Sequence, residues 1–425
     1  MTRIAVVGSG IAGLTAAWLL SQRHAVTLFE AAGTLGGHTH TVDVELGGMR
    51  FPVDTGFLVF NDRTYPNLCS LFDHLGVATA ASEMSFSVRV DEDRLEWAGS
   101  SLATVFAQKR NLVKPEFWRM LQEILRFNRE STAAVECGMD EGETLGRFLD
   151  RGGYGRAFRE WYLLPMSAAI WSCPTGSMLG FPAATFLRFC HNHGLLQVNG
   201  RPKWRTVVGG GREYVRRLAA RIDDVRVGTP VLGVRRSADA VELRLANTSE
   251  RFDAVVLATH SDQSAVMLED ADAAERNVLD PVRYQPNRAW LHTDETLLPR
   301  ARDAWSAWNY LTGPARVDGR PVSVSYLINK LQPLPVETPV IVTLNPVHEP
   351  RADRVIRRID YAHPVFDPAA IEAQRHLSSI QGRRRTWFCG AWTGYGFHED
   401  GLRSGLAVAN AMGVTAPWQK RALVA

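Results

Sequence analysis

The feature that most constrains the fold is a glycine-spaced turn between an apolar strand and an apolar helix at the start of the chain. Residues 4–7 form a continuous apolar run, and Gly8, Gly10 and Gly13 follow it in the pattern G-x-G-x-x-G. Such a run is typical of a parallel strand that is buried on both faces. The glycines allow a tight turn, the close approach of a pyrophosphate and the packing of a helix over residues 11–20. The stretch therefore predicts a dinucleotide-binding unit.

An acidic residue stands where such a unit holds a ribose. A second apolar run, residues 26–29, is followed by Glu30. A carboxylate at this position accepts hydrogen bonds from ribose hydroxyls and repels a 2′-phosphate. The free N–H groups at the helix N-terminus, where Ile11 and Ala12 stand, favour the pyrophosphate. The sequence therefore predicts NAD or FAD, with no requirement for NADP.

A glycine pair after Glu30 separates these two cofactors. Gly36 and Gly37 have no counterpart in a plain NAD domain. They resemble the second phosphate-contact element of the FAD-dependent amine oxidase and phytoene desaturase superfamily. That element usually reads Gly-Gly-Arg, whereas the third residue here is His38, which is mostly neutral at pH 7. The resemblance implies one noncovalent FAD, with Ala31 also in the cofactor site.

Further stretches resemble the superfamily in the right order along the chain. They are the strand that ends in Asp54-Thr-Gly, the glycine-rich helix start at residues 209–218, and the C-terminal residues 386–411. In relatives a residue placed like Val231 holds the adenine through its backbone. The resemblance implies that the remaining cofactor contacts are Thr55, Gly56, Phe57, Ala258, Gly390, Ala391, Asp400, Gly401 and Leu402.

The resemblance also implies the fold class and the domain organisation. We expect an α/β protein with a Rossmann-like FAD-binding domain of the glutathione reductase type and an inserted α+β substrate domain. The expected FAD domain is discontinuous and comprises residues 1–62, 203–262 and 383–425. The substrate domain then comprises residues 63–202, mostly helical, and 263–382, which contain alternating patterns typical of an antiparallel sheet.

A narrower resemblance indicates a lipid context. Residues 199–207, His398-Glu-Asp-Gly and the Gly-Gly-His variant are similar to predicted amine oxidase homologues that are often encoded beside, or fused to, cyclopropane fatty acid synthases. This similarity implies a hydrophobic or lipid substrate and a lipid-modifying methyltransferase as partner. We therefore predict hydride transfer from a fatty acyl chain to flavin N5. The alternatives are oxidation of an apolar amine and a flavin-bearing accessory subunit of a lipid-modifying complex.

Four residues are candidates for the chemistry. Phe397 matches the position of an aromatic wall in amine oxidases, and Lys330 is a candidate for the lysine that those enzymes hold near N5. We predict that His398 is a base or an orienting group and that Glu399 fixes its tautomer. The alternative is that His398, Glu399 and Asp400 only cap the helix that follows, with Asp400 as its N-cap.

Two other features allow more than one interpretation. The aromatic residues Trp161, Tyr162, Trp171 and Phe181 suit either a broad apolar cavity or a core. Residues 111–130 predict an amphipathic helix with Val113, Phe117, Leu121, Ile124 and Leu125 on its apolar face. With basic residues opposite, this helix is either an ordinary surface helix, which we favour, or a contact with an anionic membrane.

Composition excludes several classes of function. The 425 residues contain 48 Lys and Arg against 45 Asp and Glu, and no basic tail or nucleic-acid-binding motif occurs. The five cysteines have no C-x-x-C spacing, so neither a disulfide framework nor a zinc site is predicted. His191 and His193, two residues apart, diverge on a helix and predict no metal. We expect a cytoplasmic protein, soluble or peripheral at the membrane, that binds no nucleic acid.

Overall fold

The computed structural model describes residues 1–172, 174–197, 200–312 and 322–422. Cys173 and Asn199 lie outside these ranges. The strands are β1 (Arg3–Val7), β2 (Ala25–Phe29), β3 (Thr41–Leu46), β4 (Met49–Asp54), β5 (Phe60–Asn61), β6 (Thr79–Ala81), β7 (Phe86–Val90), β8 (Leu95–Ala98), β9 (Trp204–Val207), β10 (Asp224–Arg226), β11 (Gly233–Arg236), β12 (Val241–Arg244), β13 (Ser249–Phe252), β14 (Ala254–Leu257), β15 (Tyr284–His292), β16 (Trp308–Thr312), β17 (Ser323–Leu327), β18 (Ile341–Leu344), β19 (Val355–Pro364) and β20 (Thr386–Phe388).

The helices connect and cover these strands. They are α1 (Ile11–Leu20), α2 (Pro66–Leu75), α3 (Leu102–Val105), α4 (Pro115–Cys137), α5 (Leu145–Arg151), α6 (Arg156–Phe158), α7 (Leu164–Trp171), α8 (Thr175–Leu179), α9 (Ala183–Asn192), α10 (Arg212–Ala219), α11 (Ser261–Met267), α12 (Ala273–Leu279), α13 (Ile328–Leu331), α14 (Pro368–Arg375), α15 (His398–Ala411) and α16 (Pro417–Ala422). A π-helical segment, Arg159–Leu163, joins α6 to α7.

A parallel sheet in the order β10-β2-β1-β14-β20 holds the N-terminal glycine turn. Residues 4–7 of its central strand, β1, are apolar and buried, as expected. The chain passes from β1 through α1 to β2 on one side, whereas β14 pairs with β1 on the other side. Because the direction of winding reverses between β1 and β14, the carboxyl ends of these strands form a crevice where ligands bind in such sheets.

The second large sheet has seven strands in the order β19-β15-β18-β17-β16-β7-β8. Its neighbours pair antiparallel, except for β16 and β7, which are parallel. The three alternating patterns within residues 263–382 correspond to β15, β16 and β17, so their assignment to an antiparallel sheet is confirmed.

The fold is therefore the expected α/β class, a Rossmann-like domain combined with an α+β region. Every strand of the parallel sheet falls within residues 1–62, 203–262 or 383–425, and every strand of the seven-stranded sheet falls outside them. A small sheet of β5, β9 and β6 draws strands from both groups of segments. The boundaries of the two domains remain a prediction.

The amphipathic helix differs from its expected form. The helix α4 begins at Pro115, and Val113 belongs to a separate 3₁₀ turn, Lys109–Val113. Lys114 between them is extended, since a proline at the first helical position disfavours a helical residue before it. Phe117 is buried as predicted, but Val113, which precedes α4, and Leu125, which lies off the buried face of α4, are 83% and 59% exposed.

Candidate active site and cofactor site

One cavity of about 1350 Å³ runs from the carboxyl ends of the parallel strands to a group of aromatic side chains. This volume exceeds the roughly 300–1,000 Å³ of a site for one small ligand, so the cavity has room for a cofactor and a substrate. The predicted residues on its wall are Gly8, Gly10, Ile11, Ala12, Glu30, Ala31, Gly36, Gly37, His38, Thr55, Gly56, Phe57, Val231, Ala258, Gly390, Ala391, Phe397 and His398.

The glycine turn has the geometry that its sequence predicts. Gly8 has a φ of 101° and donates its N–H to the carbonyl of Phe29 at 2.8 Å, which closes the turn onto β2. A Cβ on Gly13 would lie 1.9 Å from the Gly8 carbonyl oxygen. Gly13 is absent from the cavity wall because it packs α1 against this turn, as expected. A Cβ on Gly10 would meet no protein atom within 4 Å, since Gly10 faces the open cavity.

The second glycine pair lies directly on the first turn. The Gly36 N–H lies 3.2 Å from the Ser9 carbonyl oxygen and 3.1 Å from the Ser9 hydroxyl, with which it forms hydrogen bonds. A Cβ on Gly37 would be 3.3 Å from the Gly10 Cα. The two elements therefore form one backbone cradle beside the N-terminus of α1, which suits a pyrophosphate.

Glu30 lies at the end of β2 as predicted, and its carboxylate is held by backbone groups. It accepts hydrogen bonds from the N–H of Ser9 at 2.9 Å and from that of Ala32 at 2.8 Å. The Thr229 N–H bonds to the Glu30 carbonyl and brings the loop that contains Val231 to this end of the cavity. This arrangement fits the ribose and adenine of a dinucleotide.

His38 shows a polar atom that lacks a partner. Its Nε2 is buried and forms no hydrogen bond with any described residue. Its ring lies 5.1 Å from that of Tyr361, 5.2 Å from that of His363 and 6.1 Å from that of His260, measured between centroids. Burial lowers the pKa of His38 to about 3. An unpaired imidazole nitrogen on the cavity wall fits an acceptor on a bound FAD.

The residues Tyr361, His363 and His260 were not predicted from the sequence, although all three line the cavity. His260 could have been found, because it follows β14 at the carboxyl edge of the parallel sheet, where ligand contacts concentrate. The other two lie on β19, and only the pairing of distant segments brings this strand to the cavity.

Besides Gly13, three predicted cofactor contacts do not reach the cavity wall. Asp400, Gly401 and Leu402 are buried within the first turns of α15. A Cβ on Gly401 would lie 2.8 Å from the Ile11 side chain, so Gly401 packs α15 against α1. The Asp400 carboxylate accepts hydrogen bonds from the N–H groups of Phe397 and Tyr395, each at 3.1 Å. Asp400 thus caps the helix as its third residue and is not the N-cap.

His398 lies on the cavity wall but is not oriented by Glu399. Its ring stacks on Phe57 with centroids 3.9 Å apart, and its Nε2 lies 2.7 Å from the hydroxyl of Tyr214. Tyr214 also bonds to Thr39. Burial lowers the pKa of His398 to about 3, so the ring is neutral at pH 7.

The predicted role of Glu399 is wrong. Its carboxylate accepts hydrogen bonds from the N–H and the side-chain amide of Asn67, at 3.0 and 2.7 Å, and from the Leu68 N–H at 3.0 Å. These groups belong to the first turn of α2, whose own N-cap residue, Tyr65, makes no side-chain cap. Glu399 therefore caps α2, because its backbone position in α15 directs the carboxylate away from His398.

The prediction that Lys330 takes part in the chemistry is also wrong. Its Nζ pairs with both carboxylate oxygens of Glu83 at 3.1 Å, and Lys330 is absent from the cavity wall. The backbone carbonyl of Lys330 accepts a hydrogen bond from the Glu83 N–H, so its short helix, α13, is fixed at that position. The site therefore contains no contribution from this lysine.

The opposite end of the cavity is aromatic. Phe397 stacks on Phe189 at 5.0 Å and meets Trp171 edge-on at 6.5 Å, and all three line the cavity. The sequence allowed Tyr162 and Trp171 to belong either to a core or to a cavity. The structure places both on the cavity wall. Trp161 and Phe181 are buried in the core instead. Such walls suit a long apolar ligand.

Among the described residues, no group of three His, Cys, Asp or Glu side chains is arranged to hold a metal ion. No described helix combines the length and the apolar character that crossing a bilayer requires.

Comparisons with known proteins agree with this geometry. Two curated relatives are carotenoid phi-ring synthases. The one from Chlorobaculum tepidum is 38% identical over 34% of this chain and 26% of the relative. The one from Streptomyces griseus is 28% identical over 61% of this chain and 52% of the relative. The chain thus spans about a quarter and about half of these relatives.

A solved structure of similar fold is that of a CLA-producing fatty acid isomerase from P. acnes. Its TM-score is 0.69 at 16% identity, with coverage of 97% of this chain and 99% of that one. The pattern of the family "Flavin containing amine oxidoreductase" matches residues 11–318. This chain belongs to the flavin-containing amine oxidoreductase family.

Proposed function

We propose that this chain oxidises a fatty acyl or similarly long apolar chain, with FAD as the hydride acceptor, and forms a carbon–carbon double bond. One observation carries this proposal: a single cavity joins the dinucleotide cradle at Gly10 and Gly37 to the aromatic wall at Phe189, Trp171 and Phe397. The names of the relatives, a carotenoid ring synthase and a fatty acid isomerase, support a lipid-like substrate.

The residues of the chain divide the task between binding and proton transfer. The backbone cradle and Glu30 would hold FAD, which when bound supplies hydride acceptance at N5. The aromatic wall holds the apolar chain and excludes water. Desaturation removes a hydride from one carbon and a proton from its neighbour, and oxygen or a quinone then removes the two electrons from the enzyme. His398 lines the cavity and is unprotonated at pH 7, so we assign it the proton on its position, although burial lowers its pKa and makes it a weak base.

Amine oxidation is the second candidate, and the family match favours it. Phe397 and Tyr395 both line the cavity and could flank an amine. Against it stands the placement of Lys330, which pairs with Glu83 outside the cavity. The third candidate is an accessory subunit without chemistry of its own. The resemblance to homologues encoded beside cyclopropane fatty acid synthases supports a lipid-modifying methyltransferase as partner. This holds both for the lipid oxidase and for the accessory subunit.

The test is anaerobic reduction of the bound flavin. Purified protein loaded with FAD is mixed without oxygen with a panel of fatty acids, phospholipids and apolar amines, and the loss of oxidised-flavin absorbance is followed. We expect reduction by a lipid, and a fall of about 100-fold or more in its rate in His398→Ala at unchanged FAD content. Reduction by amines alone would reverse the ranking, and no reduction by any compound would favour the accessory subunit.

A further inference from the structure

Apolar side chains are unusually exposed in one short part of the chain. Leu102, Leu112, Val113, Trp118 and Leu125 are 79%, 48%, 83%, 44% and 59% exposed. Their positions fall within 24 residues, on α3, the 3₁₀ turn that follows it and the first half of α4. We call these five residues the apolar patch.

Contacts join the three elements that carry the patch. The Trp118 indole N–H donates to the Leu112 carbonyl at 2.9 Å, which fixes the tryptophan against the 3₁₀ turn. The Phe106 ring lies 5.2 Å from that of Trp118, and the Phe106 N–H bonds to the Leu102 carbonyl at 3.1 Å. Leu125 stands two helical turns after Trp118 and therefore on the same side of α4.

Basic side chains accompany the patch. Residues 102–125, which span the patch, contain four basic residues, Lys109, Arg110, Lys114 and Arg119, and two acidic residues, Glu116 and Glu123. Lys109, Arg110 and Arg119 are exposed, while the Lys114 Nζ lies over the ring of Trp161 at 4.3 Å. Exposed apolar side chains with a tryptophan and surrounding cations are the composition of surfaces that enter the headgroup region of an anionic bilayer.

The patch lies beside the cavity in the chain. Gly99 and Ser100 belong to the cavity wall, and α3 begins at Leu102. Trp97, on the strand before them, also lines the cavity. The patch thus begins two residues after a part of the cavity wall. A lipid that leaves a membrane at the patch would therefore have a short path to the cavity.

We propose that the apolar patch docks on the surface of an anionic phospholipid bilayer and presents the cavity to lipids there. The delivery of a lipid substrate rests on the proposed function, whereas the docking does not. The apolar side chains would enter the headgroup region, and the exposed cations would contact lipid phosphates.

The experiment is sedimentation of the FAD-loaded protein with vesicles. Vesicles of phosphatidylcholine alone are compared with vesicles that contain phosphatidylglycerol, at low and high salt. We expect binding only to the anionic vesicles, weakened by salt because screening reduces attraction between exposed charges. The double variant Leu102→Ser/Val113→Ser should bind about tenfold more weakly. Lys109→Gln/Arg110→Gln should lose the salt dependence.

The matched control is Val208→Ser/Val227→Ser, which changes two apolar residues of 46% and 45% exposure away from the patch. It should bind vesicles like the unchanged protein, and melting curves verify that all variants fold. Absence of vesicle binding, or an equal loss in patch and control variants, would overturn the proposal. So would a patch-dependent dimer in solution, because a second copy would then cover this surface. Vesicle binding without flavin reduction by lipids would support docking while rejecting the proposed function.

Discussion

At the scale of single residues, two glycines of the same motif have separable roles. A methyl group on Gly10 would meet no protein atom, and the Gly10 backbone, with φ −63° and ψ 175°, accepts alanine. The added methyl group would, however, enter the space for the pyrophosphate. We expect Gly10→Ala to change the free energy of unfolding of the apoprotein by less than about 1 kcal/mol and to weaken FAD binding at least about tenfold. Denaturation and FAD titration measure the two effects.

Gly13 provides the contrast. Because its Cβ would overlap the Gly8 carbonyl, Gly13→Ala should abolish folding or strongly lower the melting temperature. Gly33→Ala is the control, since a Cβ there meets nothing within 4 Å. A Gly10→Ala protein that binds FAD normally would contradict the placement of the pyrophosphate in this cradle.

The glycines and Glu30 could be predicted from sequence because their roles depend on the local backbone. A tight turn and a strand end are fixed by neighbouring residues. His363 and Tyr361 could not be predicted, since no local pattern distinguishes them. Only the pairing of β19 with β15 brings them beside His38.

At the scale of elements, Glu399 joins the C-terminal helix α15 to α2. Its buried carboxylate receives three hydrogen bonds from the first turn of α2. We expect Glu399→Ala to lower the free energy of unfolding by about 2 kcal/mol, because the cap is lost and buried N–H groups lose their acceptor. The rate of flavin reduction by substrate, at equal FAD content, should stay unchanged.

Glu372→Ala is the matched control, because the exposed Glu372 pairs only with surface residues and should change stability by less than about 1 kcal/mol. Glu399→Gln, which keeps one acceptor oxygen, should fall between the two. Loss of flavin reduction in a stable Glu399→Ala protein would restore the catalytic role. The sequence pattern could not show this cap, since α2 and α15 are separated by more than 300 residues.

The π-helical segment Arg159–Leu163 illustrates a second limit of the sequence. Trp161 is fully buried and donates its indole N–H to Asp93, whereas its neighbour Tyr162 lines the cavity. Composition alone treats the two aromatics alike. Their separation follows because adjacent helical side chains point in different directions, and a π-turn changes those directions further.

At the scale of the whole molecule, the cavity exists because two sheets built from interleaved segments meet. The parallel sheet supplies Gly8 and Ala258, and the seven-stranded sheet supplies Tyr326 and His363. The order of motifs along the chain predicted the first sheet, because each motif marks one strand end. The contribution of the second sheet depends on strand order, which the sequence does not encode locally.

The buried histidines make the stability of the whole molecule depend on pH. His292 is fully buried; its ring bonds to the Thr343 hydroxyl at 2.8 Å and accepts the Asp294 N–H at 3.0 Å. Burial lowers its pKa to about 4. Between this value and about 6.5, the unfolded chain binds more protons at this site, so stability is lost as the pH falls. At pH 5 the loss from this histidine is about 2 kcal/mol.

Asp54 acts in the opposite direction. Burial raises its pKa to about 6. Because the folded state then binds a proton more readily than the unfolded chain, the free energy of unfolding rises by about 1 kcal/mol between pH 7 and pH 5. We therefore expect the melting temperature to fall from pH 7 to pH 5, and to fall less in His292→Gln. His376→Gln, which removes an exposed histidine that does not act on His292, should keep the full fall. Because a pH-independent loss of stability cancels in the comparison, an equal fall in His292→Gln and His376→Gln would show that His292 is not the titrating group.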